Sequence, residues 1–473
     1  MAASTAMHDI CDLSAIELTR LYGERALSPV DVARDVLARI GRFNPAVNAF
    51  LLVEHDGALA AARAAEERWA RAAPRGRLDG VPATVKDNIW AAGWPTRKGS
   101  ATTDLKPAPA DAPAVARLRE AGAVILGKTT LPEHGWIGVC HSPLTGITRN
   151  PWKLDRTPGG STGGGAVAAL LNLGALHLGT DGAGSLRIPA AFTGVFGFKP
   201  TFGRVPVYPA SAMTVLSHQG PVTRTVADAA LMLSVISAPD ARDLAAGNSP
   251  APDFLSPLDD GVAGLKIAWS PRLGYVQRMD AEVEAATARA AQVFERFGAN
   301  VEPADPGFPE PIDLIRTLWS AVAATIVDAV PAHDREKLDP GFVRVAEHGR
   351  RYSLADYLAA YQARAELAIR MAQFLTAYDL LLTPQMPLTA FEAGRVTPAD
   401  GRYGDDWIGW SPYTYPFNLT QQPAASVPCG FSAEGLPIAL QIVGRRGDDA
   451  LVLRAARAFE RAQPFATLNE PRT

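Results

Sequence analysis

Thr157-Pro158-Gly159-Gly160-Ser161-Thr162-Gly163-Gly164-Gly165 and, a little further on, Gly179-Thr180-Asp181-Gly182-Ala183-Gly184-Ser185-Leu186-Arg187-Ile188-Pro189-Ala190 decide how this chain reads. Each stretch sets one serine in a glycine-rich loop, and the segment between them, residues 166–178, is largely apolar. Glycines around a serine let backbone and ligand approach closely, and they leave amide N–H groups free to face an anion. A nucleophile beside such groups suits acyl transfer, because negative charge grows on the carbonyl oxygen in the transition state.

Upstream, Gly80-Val81-Pro82-Ala83-Thr84-Val85-Lys86-Asp87-Asn88-Ile89 brings a lysine to the end of an apolar run. Thr148-Arg149-Asn150-Pro151-Trp152 precedes the first serine loop, and Gly194-Val195-Phe196-Gly197-Phe198-Lys199-Pro200-Thr201 follows the second. Near the C-terminus stand Asn418-Leu419-Thr420 and Pro423-Ala424-Ala425-Ser426-Val427-Pro428. Together these pieces, with the Lys86–Ser161 and Ser161–Ser185 separations, resemble the amidase signature family of Ser-Ser-Lys hydrolases. The resemblance runs from about residue 13 to about residue 460.

That resemblance implies an α/β fold with a central mixed β-sheet flanked by helices on both faces, and one domain over residues 1–473. It implies Ser185 as the nucleophile that carries the acyl group and Ser161 as the proton bridge, preceded by a cis peptide bond. Lys86 would be the base, and the backbone N–H groups of Gly182, Ala183, Gly184 and Ser185 would form the oxyanion hole. A lysine base must be neutral, whereas an ordinary lysine titrates near pH 10.4, so burial has to lower its pKa by several units. The implied activity is hydrolysis of a carboxylic amide, linear amides first, on a small-molecule substrate with no metal and no cofactor. Asp181 and Arg187 bracket the nucleophile and read as a structural charge pair, while Asp87 and Asn88 read as holding the lysine segment.

Two positions depart from the family pattern. Ala183 stands where Gly-Gly-Ser is common, which is compatible only with negative φ and adds a methyl near the scissile carbonyl. Thr162 stands where many members carry a second serine, and its retained hydroxyl predicts only a mild, indirect effect on the triad.

Composition bounds the rest. The 473 residues are 47% apolar and 20% charged, an ordinary balance with material for a deep core. Length alone admits about three domains, an expectation the resemblance overrides. A net charge of −3 supplies no field to gather nucleic acid or anionic lipid. Cys11, Cys140 and Cys429 are too few and too scattered for a disulfide framework or a zinc site. The first nine residues lack a basic-then-apolar leader, and no apolar run reaches the roughly 18 residues of a membrane span. These features predict a cytoplasmic protein without a membrane or nucleic-acid partner; oligomeric state is open, a homodimer among the options.

Along the chain, a helical region is expected over 10–72, a catalytic core over 78–235, a more helical region over 280–378, and a return to the core over 379–465. Ser28-Pro29-Val30-Asp31 reads as a capping box opening a helix that Gly41 ends. A second helix is expected over 56–72, further helices over 114–120, 185–192 and 280–298, and strands over 123–126, 175–178 and 380–384. Residues 238–263, rich in proline, aspartate and glycine, read as a surface connection.

Gly122-Ala123-Val124-Ile125-Leu126-Gly127-Lys128-Thr129 matches a phosphate-loop pattern, but its apolar interior reads as a buried strand. His177, inside an apolar run, reads as a core histidine. Ser185 does not lie in a Gly-x-Ser-x-Gly elbow; Gly159-Gly160-Ser161-Thr162-Gly163 has that spacing, but around the serine read as the bridge rather than the nucleophile.

For the substrate, three aromatic regions matter: Trp90 and Trp94, residues 136–141, and residues 407–415. They point to a small apolar or aryl amide, with Trp136, Cys140, Trp319 and Trp410 as candidate pocket residues. The relative to weigh against this is the glutaminase (A) subunit of a tRNA-dependent amidotransferase. In that relative, charged residues stand near the position of Trp319 and at Ser411, seven residues before Asn418. A non-catalytic assembly partner of the same fold is the third option, against which Lys86, Ser161 and Ser185 stand together.

Overall fold

Strands β2 (Pro82–Lys86), β3 (Val124–Thr129), β8 (His218–Thr223) and β13 (Pro437–Gly444) are buried at every residue in the computed structural model. A strand buried at successive positions is covered on both faces, because its side chains alternate between them. The structure describes residues 9–472; the N-terminal stretch 1–8, on which the expected lack of a leader rests, lies outside them.

The remaining strands are β1 (Phe50–Val53), β4 (His141–Ser142), β5 (Gly146–Ile147), β6 (Leu176–Asp181), β7 (Phe196–Lys199), β9 (Lys266–Trp269), β10 (Asn300–Pro303), β11 (Leu380–Pro384) and β12 (Ala424–Phe431). Strands β4 and β5 pair with each other, and the other eleven form one sheet in the order β1-β3-β2-β6-β8-β7-β12-β13-β11-β9-β10. Pairing is parallel for β3/β2/β6 and for β11/β9/β10. It is antiparallel through β6/β8/β7/β12/β13/β11 and at the β1 edge. This is the mixed α/β sheet that the resemblance implies.

Several local expectations hold closely. Helices span His55–Ala70, Pro113–Glu120 and Ala281–Arg296, and Gly298 takes positive φ just beyond the last of these. The phosphate-loop lookalike is β3, so its lysine is a strand residue paired with Asp87 at 3.3 Å. His177 is fully buried, bonds the Thr84 hydroxyl at 2.8 Å, and is pushed down to about 3 by burial.

Two helix boundaries differ. The helix begun by Ser28 runs Pro29–Val47, through Gly41, and stops at Asn48 in the left-handed region. Phe43 and Val47 continue its buried face past the glycine, which decides the matter. Ser28 caps Val30 and Asp31 N–H; the reciprocal capping boxes are at Ser14/Glu17 and Ser353/Asp356. The short helix after Ser185 is Arg187–Thr193, two residues later than expected, because Asp181 holds residues 184 and 186 in a turn. Among the described residues, no helix is long and apolar enough to cross a membrane.

Candidate active site

Lys86 ends β2 and Thr180 lies near the end of β6, its parallel neighbour. The carboxyl ends of parallel strands are where such sheets present ligand sites, since the chain leaves there in loops. Lys86 Nζ is fully buried and meets three hydroxyls: Ser161 Oγ at 2.7 Å, Thr180 Oγ1 at 2.9 Å and Thr162 Oγ1 at 3.0 Å. Burial pushes its pKa down to about 7, against weaker opposing pulls from Cys140 and Asp181. Hydroxyls both donate and accept, so this cage can hold the ammonium and the neutral amine alike. Thr162 therefore touches Lys86 directly, nearer than the mild, indirect role expected of it.

The Gly160–Ser161 peptide bond is cis. A Cβ on Gly160 would lie 2.2 Å from the Val139 carbonyl oxygen, so backbone packing at this turn excludes any side chain. Thr162 N–H donates to the Ser185 carbonyl at 3.1 Å and ties the two serine loops together. Ser161 and Ser185 line one cavity of about 520 Å³, with Thr180, Gly182 and Asn88 in the same wall.

The loop carrying Ser185 is wrapped around Asp181. The buried carboxylate accepts Gly184 N–H at 2.7 Å, Leu186 N–H at 3.1 Å and both arms of the Arg187 guanidinium at 3.0 and 3.1 Å. Arg187 also reaches the Thr414 carbonyl, Gln441 Oε1 and Asn418 Oδ1, while Asn418 Nδ2 returns to Asp181. Burial works against the Asp181 charge, but the Arg187 guanidinium holds its pKa well below the ordinary carboxylate range. Asp181 and Arg187 thus form the charge pair read from sequence.

This arrangement corrects the expected set of oxyanion donors. Gly184 N–H is spent on Asp181, because the carboxylate is the stronger acceptor held at contact. The N–H groups of Gly182, Ala183 and Ser185 have no acceptor among the described residues and remain for a ligand. Gly184 instead serves the turn: its φ is +127°, and a Cβ there would sit 2.7 Å from Thr414 Cβ. Ala183 is not among the positive-φ residues, as its methyl requires.

The expected pocket residues divide. Trp319 lines the cavity. Trp136 does not: it packs on Phe342 and accepts the Trp319 indole N–H on its carbonyl at 3.1 Å. Cys140 is buried beneath the first serine loop, where Gly163 leaves room for its side chain and Thr148 Oγ1 lies 3.4 Å from Sγ. Trp410 stacks on Phe192 and meets Phe391 edge to face in the core. Large apolar side chains gain most where they are fully covered, so aromatic content alone does not locate a pocket wall.

Of the aromatic regions read from the sequence, the first reaches the wall through Trp90, while other parts of the wall escape such a reading. Trp90 and Tyr208 line it and pack edge to face at 6.0 Å, and residues 207–213 and 325–331 close the far side. Thr180 could be found from its place one residue before Asp181. Nothing in the sequence marks the 207–213 loop. Asn88, expected to hold the lysine segment, bonds Thr180 Oγ1 at 3.1 Å and also faces the cavity. Ser411 is buried and donates to the Trp407 and Ile408 carbonyls, away from the cavity.

Comparison with known proteins agrees with this geometry. The family model described as Amidase matches residues 31–453. The chain is 38% identical to the glutamyl-tRNA(Gln) amidotransferase (A) subunit of Myxococcus xanthus, over 98% of this chain and 99% of that one. It is 35% identical to an acylamidase of Rhodococcus erythropolis, over 96% of both chains. A bacterial aryl acylamidase of the amidase signature family superposes with a TM-score of 0.89 over 96% of both chains at 31% identity. With its paired serine loops, its hydroxyl-caged lysine and these matches, the chain belongs to the amidase signature family of hydrolases acting on carbon–nitrogen bonds.

Proposed function

We propose that this chain hydrolyses a small aryl or apolar amide through an acyl-enzyme on Ser185. The observation that carries the proposal is Lys86: a fully buried amine, hydrogen-bonded to Ser161 at 2.7 Å, with its pKa pushed down to about 7. A base is most useful when its pKa lies near the working pH, since it is then both available and able to take a proton.

In the first half-reaction Ser185 Oγ bonds to the amide carbon. Its proton passes to Ser161, and the Ser161 proton passes to Lys86 Nζ. The oxyanion rests on N–H groups of Gly182, Ala183 and Ser185, which are fixed in place before reaction. Collapse breaks the C–N bond while the proton returns from Lys86 through Ser161 to the departing nitrogen. Water then adds to the ester by the same relay, releasing the carboxylic acid and restoring Ser185.

Trp90, Tyr208 and Trp319 in the wall favour an aryl group on the substrate, as do the acylamidase relative and the aryl acylamidase neighbour. The test is amine release from a panel of anilides and aliphatic amides, with Ser185→Ala in parallel. Turnover on anilides that disappears in the variant is expected; turnover that survives it would sink the acyl-enzyme.

A second reading, the glutaminase component of an amidotransferase, has the 38% identity to the Myxococcus protein in its favour. Against it, no carboxylate among the described residues lines the cavity to receive an ammonium, and Ser411 is turned to backbone. A polar ligand end that loses water needs a partner in the site. Hydrolysis of glutamine in preference to every anilide would reinstate this reading. Retention of Lys86, Ser161 and Ser185 speaks against a non-catalytic partner.

A further inference from the structure

The cavity that holds Ser185 carries one formal charge on its wall, and that charge is positive. Among the described residues that line it, Lys98 is the charged one; no aspartate or glutamate lines it. His134 beside it is kept neutral, lowered to about 4 by burial and then by the Lys98 charge. Lys98 joins no ion pair among the described residues. Carboxylates on the neighbouring segments are engaged elsewhere: Asp87 with Lys128, and Glu133 with the Ser100 hydroxyl and Asp339 N–H.

The position of this cation is tied to the reacting atoms. Lys98 N–H donates to the carbonyl of Asp87, next to the base, at 3.1 Å. Its own carbonyl accepts His134 N–H at 2.7 Å, and Gly135 beside His134 lies so close that a Cβ there would sit 3.1 Å from Ser161 Oγ. Lys98 has φ of 52°, a left-handed conformation uncommon for a residue with a long side chain. A second polar group in the cavity is also unspent. Gln219, opposite Thr180 on paired strands and 4% exposed, lines the wall with a side-chain oxygen that has no partner. Buried polar groups are ordinarily paired, and this acceptor oxygen is open to a donor such as the amide N–H of a ligand rather than to a carboxylate.

Resting on the reading that Ser185 cleaves amides here, we infer that the cavity selects amides carrying a carboxylate remote from the scissile bond, with Lys98 as its counter-ion. A neutral aryl amide would leave Lys98 uncompensated as water is excluded, and an ammonium-bearing amide would be repelled by it. A carboxylate turns the same cation into a charge-assisted contact.

Matched pairs test this with the full chain. Acetanilide against para-acetamidobenzoate places the acid on the amine arm; butyranilide against N-phenylsuccinamate places it on the acyl arm. On at least one arm the acid should exceed its neutral partner in kcat/KM by about tenfold or more, the scale of one charge-assisted hydrogen bond. In Lys98→Met that ratio should fall below about threefold, and in Lys98→Glu below one. Because the readout is a ratio within each protein, a general loss of folding or activity cancels. A wild-type ratio of one or less on both arms, or a ratio that Lys98→Glu leaves intact, overturns the inference while amide hydrolysis stands. Release that survives Ser185→Ala overturns both. Calorimetric binding of the same pairs to the Ser185→Ala protein reads the preference without turnover, and equal or weaker affinity for the acid on both arms overturns it even where no pair is cleaved.

Discussion

Lys86 and Arg187 are both cations with no exposed surface, and the company each keeps sets them to opposite tasks. Arg187 is surrounded by a carboxylate, two side-chain amide oxygens and a backbone carbonyl, which answer its charge completely. Lys86 meets three neutral hydroxyls and no carboxylate in contact. A compensated guanidinium stays charged and acts as a girder for the nucleophile loop. An uncompensated ammonium finds its charged form costly, and its pKa falls into the range where it can take a proton. The same burial thus builds a support around Arg187 and leaves Lys86 suited to act as a base.

The comparison can be broken at either end. The largest effect is expected from Lys86→Met, which should cut kcat/KM by about a thousand- to ten-thousandfold, the full worth of a general base. Its melting temperature at pH 6 should not fall, because the folded wild-type protein binds the Lys86 proton more weakly than the unfolded chain does. A loss of stability there would mean that Lys86 is structural.

Asp181→Asn should do the reverse. It strands Arg187 without its counter-charge and should cost about 3–5 kcal/mol of stability in urea unfolding. A variant as stable as the parent would show that Gln441, Asn418 and Thr414 suffice.

pH profiles sharpen the contrast. The active form of Lys86 is neutral, so kcat/KM on a neutral amide should fall tenfold per unit below about 7 and level off above it. The sign is the same for stability. Lys86 is lowered from 10.5 in the unfolded chain to about 7 in the fold, so its contribution to stability rises with pH between those values and is least below about 7. Activity independent of pH from 5 to 8 would remove Lys86 as the base.

The smallest effect belongs to Thr180→Val. It deletes one of three hydroxyls that stabilise the ammonium, so the acid limb should move to lower pH by about half a unit to one unit. Movement to higher pH would mean that Thr180 favours the neutral amine.

Much of this can be read along the chain. The apolar run ending at Lys86, the two serine loops, the charge pair and the strand nature of the phosphate-loop lookalike are local patterns, because glycine, apolar runs and short-range charges act over a few residues. The end of the Pro29–Val47 helix escapes such a reading because a buried face outweighs one helix-weakening glycine. Gly184 escapes it because the fate of its N–H depends on where Asp181 places an oxygen three residues away. The pocket wall is largely illegible. Trp136, Cys140 and Trp410 have the right chemistry but are used for packing; Trp319 and Trp90 reach the cavity, and Tyr208 and Gln219 join them from segments that the sequence does not mark.

By itself, the sequence determined the family and the α/β class and singled out the three side chains proposed to react, since these rest on residue types held at set spacings. Only the tertiary structure decided which N–H groups are left open, which aromatics line the cavity, and that Lys98 stands in the wall without a counter-charge. Those are properties of empty space and of partners distant in the chain, and no local pattern encodes which groups will find one another after the sheet has closed.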